Sequence, residues 1–133
     1  MVFKKTDDPK LTRRLGRIQR LFPSQSRSRF EKHVKHFKPD AVLCTHYSPL
    51  ETLGGMRAKR DGKHNEARAH NPFVVSIVTD FEAHALWMNN SVDLYCVAAE
   101  ETKARLVARG AAADNIIATG IPISARLDRK SVV

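Results

Sequence analysis

The sequence has few cysteines and no long apolar run. Cys44 and Cys96 are the only cysteines among 133 residues, and both lie in apolar stretches, which favours reduced, buried thiols over a disulfide framework. No apolar run approaches the ~20 residues that a membrane-spanning helix needs. Residues 1–10 are polar and charged, unlike a signal peptide. We therefore expect a cytoplasmic protein that is soluble or peripherally associated with a membrane.

Several chemical signatures are absent as well. There is no G-x-G-x-x-G loop and no P-loop, so no phosphate-binding loop is predicted. H-x-H, H-E-x-x-H and C-x-x-C pairs are also missing. His46, Asp80, Glu82 and His84 are plausible metal ligands by residue type alone, but without such spacing we expect neither a metal nor another cofactor. Cys44 lies inside a predicted strand, where a thiol is more often inert packing than a nucleophile.

Positive charge is present in excess and is unevenly distributed. The net charge is +9, and residues 1–38 contain 12 Lys/Arg against 3 Asp/Glu. Residues 39–133 contain 11 of each sign and are neutral overall. This asymmetry predicts that the N-terminal segment meets an anionic surface.

The basic segment has helical periodicity. One helix face would carry the apolar residues Leu11, Leu15, Ile18 and Phe22. Such a helix can lie on anionic lipid through the basic residues of its other face, Arg13, Arg14, Arg17 and Arg20. Alternatively, the apolar stripe packs on the rest of the protein and the arginines are solvated. Nucleic acid has less support, because few aromatic residues interleave the basic ones.

After this segment, short apolar runs alternate with helical patterns. Strands are predicted at 40–45, 73–78, 94–97 and 116–119. Helices are predicted from a capping box at Ser28, from Ser48 until the pattern fades at Gly54 and Gly55, and over 100–109, with a helical turn near 83–89 and a loop over 57–71. Phe30, Val34 and Phe37 form an apolar stripe on the first of these helices. On the other two, the residues expected to face inward are Leu50, Leu53, Leu106 and Val107. The order predicts an α/β fold, a Rossmann-like parallel sheet of about four strands with flanking helices.

Chemically useful side chains follow two of these strands. Ligands of open α/β sheets bind beyond the carboxyl ends of the strands, where His46 follows the first strand and Thr79, Asp80, His84 and Trp87 follow the second. Asp80 can hold a sugar hydroxyl or orient His84, and His84 can accept a proton. Trp87 can stack on a sugar or contact lipid. The alternative is structural: Asp80 caps a helix, and the two rings simply pack.

Short motifs occur in a fixed order between Phe37 and Leu127: Lys38-Pro39-Asp40 with Cys44-Thr45-His46, then Val78-Thr79-Asp80-Phe81-x-x-His84-x-x-Trp87, Asp93-x-Tyr95-x-Val97 and Thr119-Gly120-Ile121-Pro122-Ile123. Together they resemble the monogalactosyldiacylglycerol synthase and processive diacylglycerol glucosyltransferase family, in glycosyltransferase family 28. Enzymes of this family have two Rossmann-like domains that face each other across a cleft, the GT-B arrangement.

The resemblance implies a role for each part of the chain. The N-terminal domain of such enzymes binds a diacylglycerol acceptor at the membrane, and the C-terminal domain binds the nucleotide-sugar donor. The acceptor-binding residues would then be His46, Thr79, Asp80, His84 and Trp87, with Asp80 and His84 as candidate catalytic groups. Gly120 and Pro122 would form the interdomain hinge.

The sequence also departs from the family pattern. No glycine-rich loop precedes Lys38, Ala85 stands where the family often has proline, and the chain ends at Val133, where the donor domain would follow. We therefore expect a basic helical segment (1–38), a partial acceptor domain (39–127) and a tail (128–133).

Three functional hypotheses follow. The first is the acceptor-binding part of a glycolipid-forming hexosyltransferase, inactive alone because the donor domain is missing. The second is a non-catalytic Rossmann-like module with a basic arm that binds anionic lipid or nucleic acid. The third is a metal-dependent hydrolase, which would require metal in the purified protein.

Overall fold

The structure is a computed structural model, and it describes residues 24–61 and 70–123. The helices are α1 (Ser24–Phe37), α2 (Ser48–Asp61) and α3 (Glu100–Ala108), and the strands are β1 (Ala41–Cys44), β2 (Phe73–Ile77), β3 (Leu94–Val97) and β4 (Ile116–Ala118). Short 3-10 turns span Ala85–Trp87 and Ala113–Asn115. The predicted basic helix, its four arginines and the tail lie outside the described residues.

The strands form one parallel sheet in the order β1-β2-β3-β4. Residues Ala41 to Cys44 of β1 pair with Phe73 to Ser76 of β2. The predicted Rossmann-like α/β fold with a four-stranded parallel sheet is therefore confirmed, and β3 has the predicted bounds. Since consecutive strands are neighbours, the loops that follow β1 and β2 leave the sheet at the same edge.

The alternation of side chains along the strands separates a buried sheet face from an exposed one. The described helices contribute Val34, Leu50, Leu53 and Leu106 to a core shared with strand residues such as Cys44, Val74, Tyr95, Val97 and Ile116. On the opposite face, Leu43 is 63% exposed, Phe73 49% and Ile117 50%. The described helices therefore cover one face of the sheet.

Two helix boundaries differ from the sequence prediction. Helix α1 begins at Ser24 rather than Ser28. The Arg27 side chain near its start lies so close to Gly55 of α2 that a Cβ there would be 2.8 Å from the Arg27 Nη2 atom. Helix α2 passes through both glycines and ends at Asp61. The predicted fading near Gly54 was wrong, because tertiary contacts outweigh the weak helix propensity of glycine.

The inward direction predicted for Val107 was wrong, and Phe37 is not buried with the rest of its apolar stripe. Phe37 is 69% exposed and Val107 is 38% exposed, whereas Leu106 is fully buried. Phe37 is the last residue of α1, beyond the part of the helix that packs on the core. No helix within the described ranges is long and apolar enough to cross a bilayer.

Candidate functional site

The carboxyl ends of β1 and β2 bring two loops together at one edge of the sheet. Cys44 at the end of β1 pairs with Ser76 in β2, so the residues after both strands emerge side by side. The first loop supplies His46 and Tyr47, and the second supplies Asp80, His84 and Trp87. We call these five residues the carboxyl-edge cluster.

Tyr47 is the contact between the two halves of the cluster. Its ring stacks on the His46 ring, with centroids 4.2 Å apart. The same ring meets His84 and Trp87 edge-on, at centroid distances of 5.4 Å and 6.0 Å. Edge-to-face arrangements of this kind are favourable for aromatic rings. Tyr47 therefore links His46 to the side chains that follow β2.

The Asp80 carboxylate is oriented by its neighbours, which occupy only part of its hydrogen-bonding capacity. Its Oδ2 atom accepts a hydrogen bond of 2.9 Å from Trp87 Nε1 and lies 3.5 Å from His84 Nε2. The Asp80 side chain is 45% exposed, compared with 22% for His84, and the Nδ1 atom of His84 is buried. Solvent therefore reaches the carboxylate more readily than the imidazole.

His46 is exposed, and its ring has a defined hydrogen-bonding state. The Ser48 backbone N–H donates a 3.1 Å hydrogen bond to His46 Nδ1. A ring nitrogen that accepts a hydrogen bond carries no hydrogen, so a neutral His46 carries its hydrogen on Nε2. His46 thus presents an N–H donor at the edge of the sheet.

The residues predicted from the sequence have different surroundings. His46, Asp80 and His84 are brought together through Tyr47, and Thr79 is exposed beside them. Trp87 is only 2% exposed, so it offers the site its N–H rather than an open ring face. Gly120 and Pro122 follow β4 instead, and Gly120 has a positive φ of 80° where the strand turns away. Their hinge role stays a prediction.

Sequence reasoning missed Tyr47 as a member of the site. The available signal was its position between His46 and the Ser48-Pro49 helix start, at the carboxyl end of a predicted strand. Its partners His84 and Trp87 are far away in sequence, so their contacts with Tyr47 required the strand pairing to be known.

The loop after β2 is attached to α3 beyond the cluster. Buried Thr102 donates a hydrogen bond of 3.1 Å from Oγ1 to the Phe81 carbonyl oxygen. Arg105 Nη1 lies 2.8 Å from Glu82 Oε1 in an exposed ion pair. The backbone around Asp80 is therefore anchored to a helix as well as to the sheet.

At the opposite edge of the sheet, Asp93 forms a tight polar network. Arg57 donates to both carboxylate oxygens, at 3.1 Å and 2.9 Å, and the Val74 backbone N–H donates at 2.8 Å. Partial burial by itself raises the pKa of Asp93, but the hydrogen bonds from Arg57 and Val74 outweigh it and lower that pKa. This network ties α2 to β2 and β3.

Neither a reactive thiol nor a metal site finds support among the described residues. Burial raises the pKa of Cys44 to about 11, which keeps this thiol protonated and unreactive near neutral pH. Within residues 24–61 and 70–123, no three His, Cys, Asp or Glu side chains form a group that could hold a metal ion.

A parallel sheet with polar and aromatic side chains beyond its carboxyl edge is typical of Rossmann-like ligand-binding domains. Residues 4–123 match the family described as monogalactosyldiacylglycerol (MGDG) synthase, and the chain belongs to that family. The resemblance predicted from the sequence is thereby confirmed.

Individual relatives agree with the family assignment. The chain is 39% identical over 114 residues to a processive diacylglycerol beta-glucosyltransferase of Bacillus cereus strain 03BB102, covering 86% of this chain and 27% of the relative. It is 28% identical over 106 residues to the uncharacterized glycosyltransferase YkoN of Bacillus subtilis, covering 77% of this chain and 26% of the relative. The chain thus spans about a quarter of the length of these relatives. No solved structure matches it.

Proposed function

We propose that this chain is the acceptor-binding part of a glycolipid-forming hexosyltransferase, which transfers a hexose from a nucleotide sugar to the hydroxyl of diacylglycerol. The family supports a diacylglycerol glycosyltransferase-like domain. The observation that carries the proposal is the carboxyl-edge cluster. In it, the ends of two neighbouring strands bring a carboxylate and two imidazoles together around Tyr47, and the buried Trp87 holds the carboxylate.

Asp80 is the group that receives the acceptor hydroxyl. Its carboxylate is half-exposed, and Trp87 fixes one oxygen through a hydrogen bond of 2.9 Å. A carboxylate oxygen can accept a hydrogen bond from an alcohol, and a charge-assisted bond of this kind is stronger than a neutral one. His84, being less exposed, orients Asp80 rather than meeting the acceptor itself.

His46 supplies the complementary group. Its outward Nε2–H can donate to an oxygen of the acceptor, such as an ester carbonyl or a second hydroxyl. A donor from one loop and an acceptor from the other suit a ligand that carries both a hydroxyl and carbonyl oxygens. Diacylglycerol has this combination at its glycerol end.

In the complete reaction, the acceptor oxygen forms a bond to the anomeric carbon of the sugar while the bond from that carbon to the nucleotide phosphate oxygen breaks. The hydroxyl proton must leave the attacking oxygen, and in this proposal the Asp80 carboxylate takes it. The nucleotide leaves with the bonding electron pair. The donor site would belong to a second domain, so we propose that this chain alone binds acceptor without transferring sugar.

Peripheral membrane association is part of the same proposal. Arg13, Arg14, Arg17 and Arg20 supply positive charge that attracts anionic lipid headgroups, by about 1 kcal/mol per residue near the surface. Binding to anionic vesicles should therefore weaken as salt is added. Equal binding at all salt concentrations would contradict this part of the proposal.

Acceptor binding can be measured with dioctanoylglycerol, a short-chain diacylglycerol, by following the NMR signals of the isotopically labelled chain. We expect shifts at His46 and Asp80, and Asp80→Asn should weaken binding by about tenfold, the effect of one charge-assisted hydrogen bond. Asp114→Asn is the matched control, because Asp114 is exposed and precedes β4 at the other edge of the sheet. Equal effects of the two substitutions would contradict the role of Asp80.

A second measurement tests the predicted lack of turnover. The 133-residue chain is incubated with a radiolabelled nucleotide sugar and diacylglycerol, and lipid-soluble label is counted. No transfer above a protein-free blank is expected. Transfer by the isolated chain would overturn the assignment of the donor site to another domain.

A further inference from the structure

Phe81 is an exposed aromatic residue immediately after Asp80. Its side chain is 69% exposed although large apolar side chains usually gain from burial. Isolated exposed apolar residues are common and need no explanation by themselves. Phe81 differs because of the way its backbone is held and because of its position.

The backbone around Phe81 is fixed on both sides. The preceding residue, Asp80, is held by Trp87 Nε1 at 2.9 Å. The carbonyl of Phe81 accepts a 3.1 Å hydrogen bond from Thr102 Oγ1, and Thr102 is only 1% exposed. The following residue, Glu82, adds only an exposed ion pair with Arg105 at 2.8 Å, which contributes little to this ordering. An apolar ring is thus held in solvent by an ordered segment, which lowers the ordering cost of a contact made by that ring.

We propose that the ring of Phe81 contacts the acyl chains of the lipid acceptor at the bilayer surface, beside the carboxylate that receives the acceptor hydroxyl. This inference rests on the proposed function, which places the glycerol end of diacylglycerol at Asp80. The acyl chains of that molecule are its apolar part and begin a few bonds from the hydroxyl. An exposed ring on an ordered backbone next to Asp80 meets them as they enter the membrane.

The chain contains a matched control for this proposal. Phe37 is also 69% exposed, but it ends α1 ahead of β1, at the amino edge of the sheet. The two phenylalanines therefore have equal exposure at opposite edges. A general effect of surface hydrophobicity would make them equivalent, whereas an acceptor contact requires only Phe81.

The first experiment measures binding of the full 133-residue chain to neutral phosphatidylcholine vesicles that contain dioleoylglycerol. Neutral vesicles reduce the contribution of the basic residues. Phe81→Ser should weaken binding by about tenfold, since most of one phenylalanine contact is lost. Phe81→Leu should retain most of the affinity, and Phe37→Ser should bind as the unaltered chain does. Circular dichroism verifies that each variant is folded.

A second experiment locates the ring in the bilayer. Tryptophan is introduced as Phe81→Trp and, separately, as Phe37→Trp, in the presence of the buried Trp87. Vesicles with brominated acyl chains should quench the added fluorescence at position 81 and leave that at position 37 unchanged. Equal quenching at both positions, or none at position 81, overturns the proposal.

The outcomes separate this inference from the proposed function. If dioctanoylglycerol binds at Asp80 but Phe81→Ser binds vesicles as the unaltered chain does, the Phe81 contact is wrong and the proposed function stands. If dioctanoylglycerol does not bind and the unaltered chain does not bind the vesicles, the proposed function fails and the inference fails with it.

Discussion

The two edges of the sheet each hold an aspartate, and the two carboxylates are used very differently. Asp93 at the amino edge accepts three hydrogen bonds from Arg57 and Val74 and is 28% exposed. Asp80 at the carboxyl edge accepts one from Trp87, faces His84 at 3.5 Å and is 45% exposed. At the amino edge, Asp93 joins a helix to two strands. At the carboxyl edge, the Asp80 carboxylate keeps hydrogen-bond acceptor positions that solvent can reach.

This difference separates a structural polar network from a candidate binding site made of similar residues. A carboxylate whose lone pairs are occupied by protein donors stabilises the fold and has little left for a ligand. One that is oriented by a single indole N–H and open to solvent keeps acceptor positions available. Removing each carboxylate should therefore affect stability at one edge and binding at the other.

The largest effect is expected from Asp93→Ala. The substitution leaves the Arg57 guanidinium and the Val74 N–H without their acceptor in a partly buried place, so the free energy of unfolding should fall by about 3 kcal/mol. Asp80→Ala should cost about 1 kcal/mol, since one hydrogen bond is lost near solvent. Urea unfolding followed by far-UV circular dichroism measures both. Equal losses would remove the distinction between the two edges.

Lowering the pH should also reduce the free energy of unfolding mainly through Asp93 at the amino edge. The pKa of Asp93 is lower in the folded chain than in the unfolded one, so its contribution is fully present above the ordinary aspartate value of about 3.9 and is lost as pH falls through the folded value. Asp93→Asn should flatten the acid limb of a stability–pH curve. Glu31, whose pKa is lowered by a hydrogen bond from Lys35, supplies part of the remaining slope. An unchanged acid limb would contradict this assignment.

A smaller effect is expected from Tyr47→Leu at the carboxyl edge. The leucine keeps apolar volume but removes the ring contacts with His46, His84 and Trp87, so the free energy of unfolding should fall by about 1 kcal/mol. Because Trp87 loses its edge-on neighbour, its near-UV circular dichroism signal should change. Leu86→Ala, next to Trp87 on the loop after β2, serves as a control. An unchanged indole signal in Tyr47→Leu would argue against Tyr47 as the link.

The smallest effect is expected from Glu82→Gln. The Glu82–Arg105 pair is exposed, with side chains 80% and 48% accessible, and surface pairs contribute little because water screens them. Unfolding free energy should change by less than about 0.5 kcal/mol. Thr102→Val removes the buried donor to the Phe81 carbonyl and should cost more, about 1 kcal/mol. The reverse order, measured by thermal or urea unfolding, would show that the exposed pair holds this loop.

Local patterns in the sequence predicted most of the fold. The strands were recognisable as short apolar runs, and Leu50 and Leu53 were placed inside from their helical spacing and are buried. The Ser48-Pro49-Leu50-Glu51 signal correctly marked the start of α2. The end of that helix was not predictable in the same way, because Arg57 is held by Asp93, 36 residues away.

In the candidate site too, local sequence identified the residues but not their contacts. His46, Asp80, His84 and Trp87 were selected by residue type and by position after strands, which local sequence can indicate. The partners of each side chain were not predictable. The position of Tyr47 between the two loops follows from the pairing of β1 with β2. The hydrogen bond from Trp87 to Asp80 forms within the loop after β2, between residues seven positions apart.

By itself, the sequence determined the class of fold, the order of its elements and the family, because apolar periodicity, helix-start residues and short motifs are encoded over a few neighbouring positions. Only the tertiary structure decided which aspartate is fully bonded and which remains open, and which of two equally exposed phenylalanines adjoins the candidate site. The physical reason is that hydrogen-bond satisfaction and exposure depend on residues tens of positions apart, which come together only when the parallel strands pair.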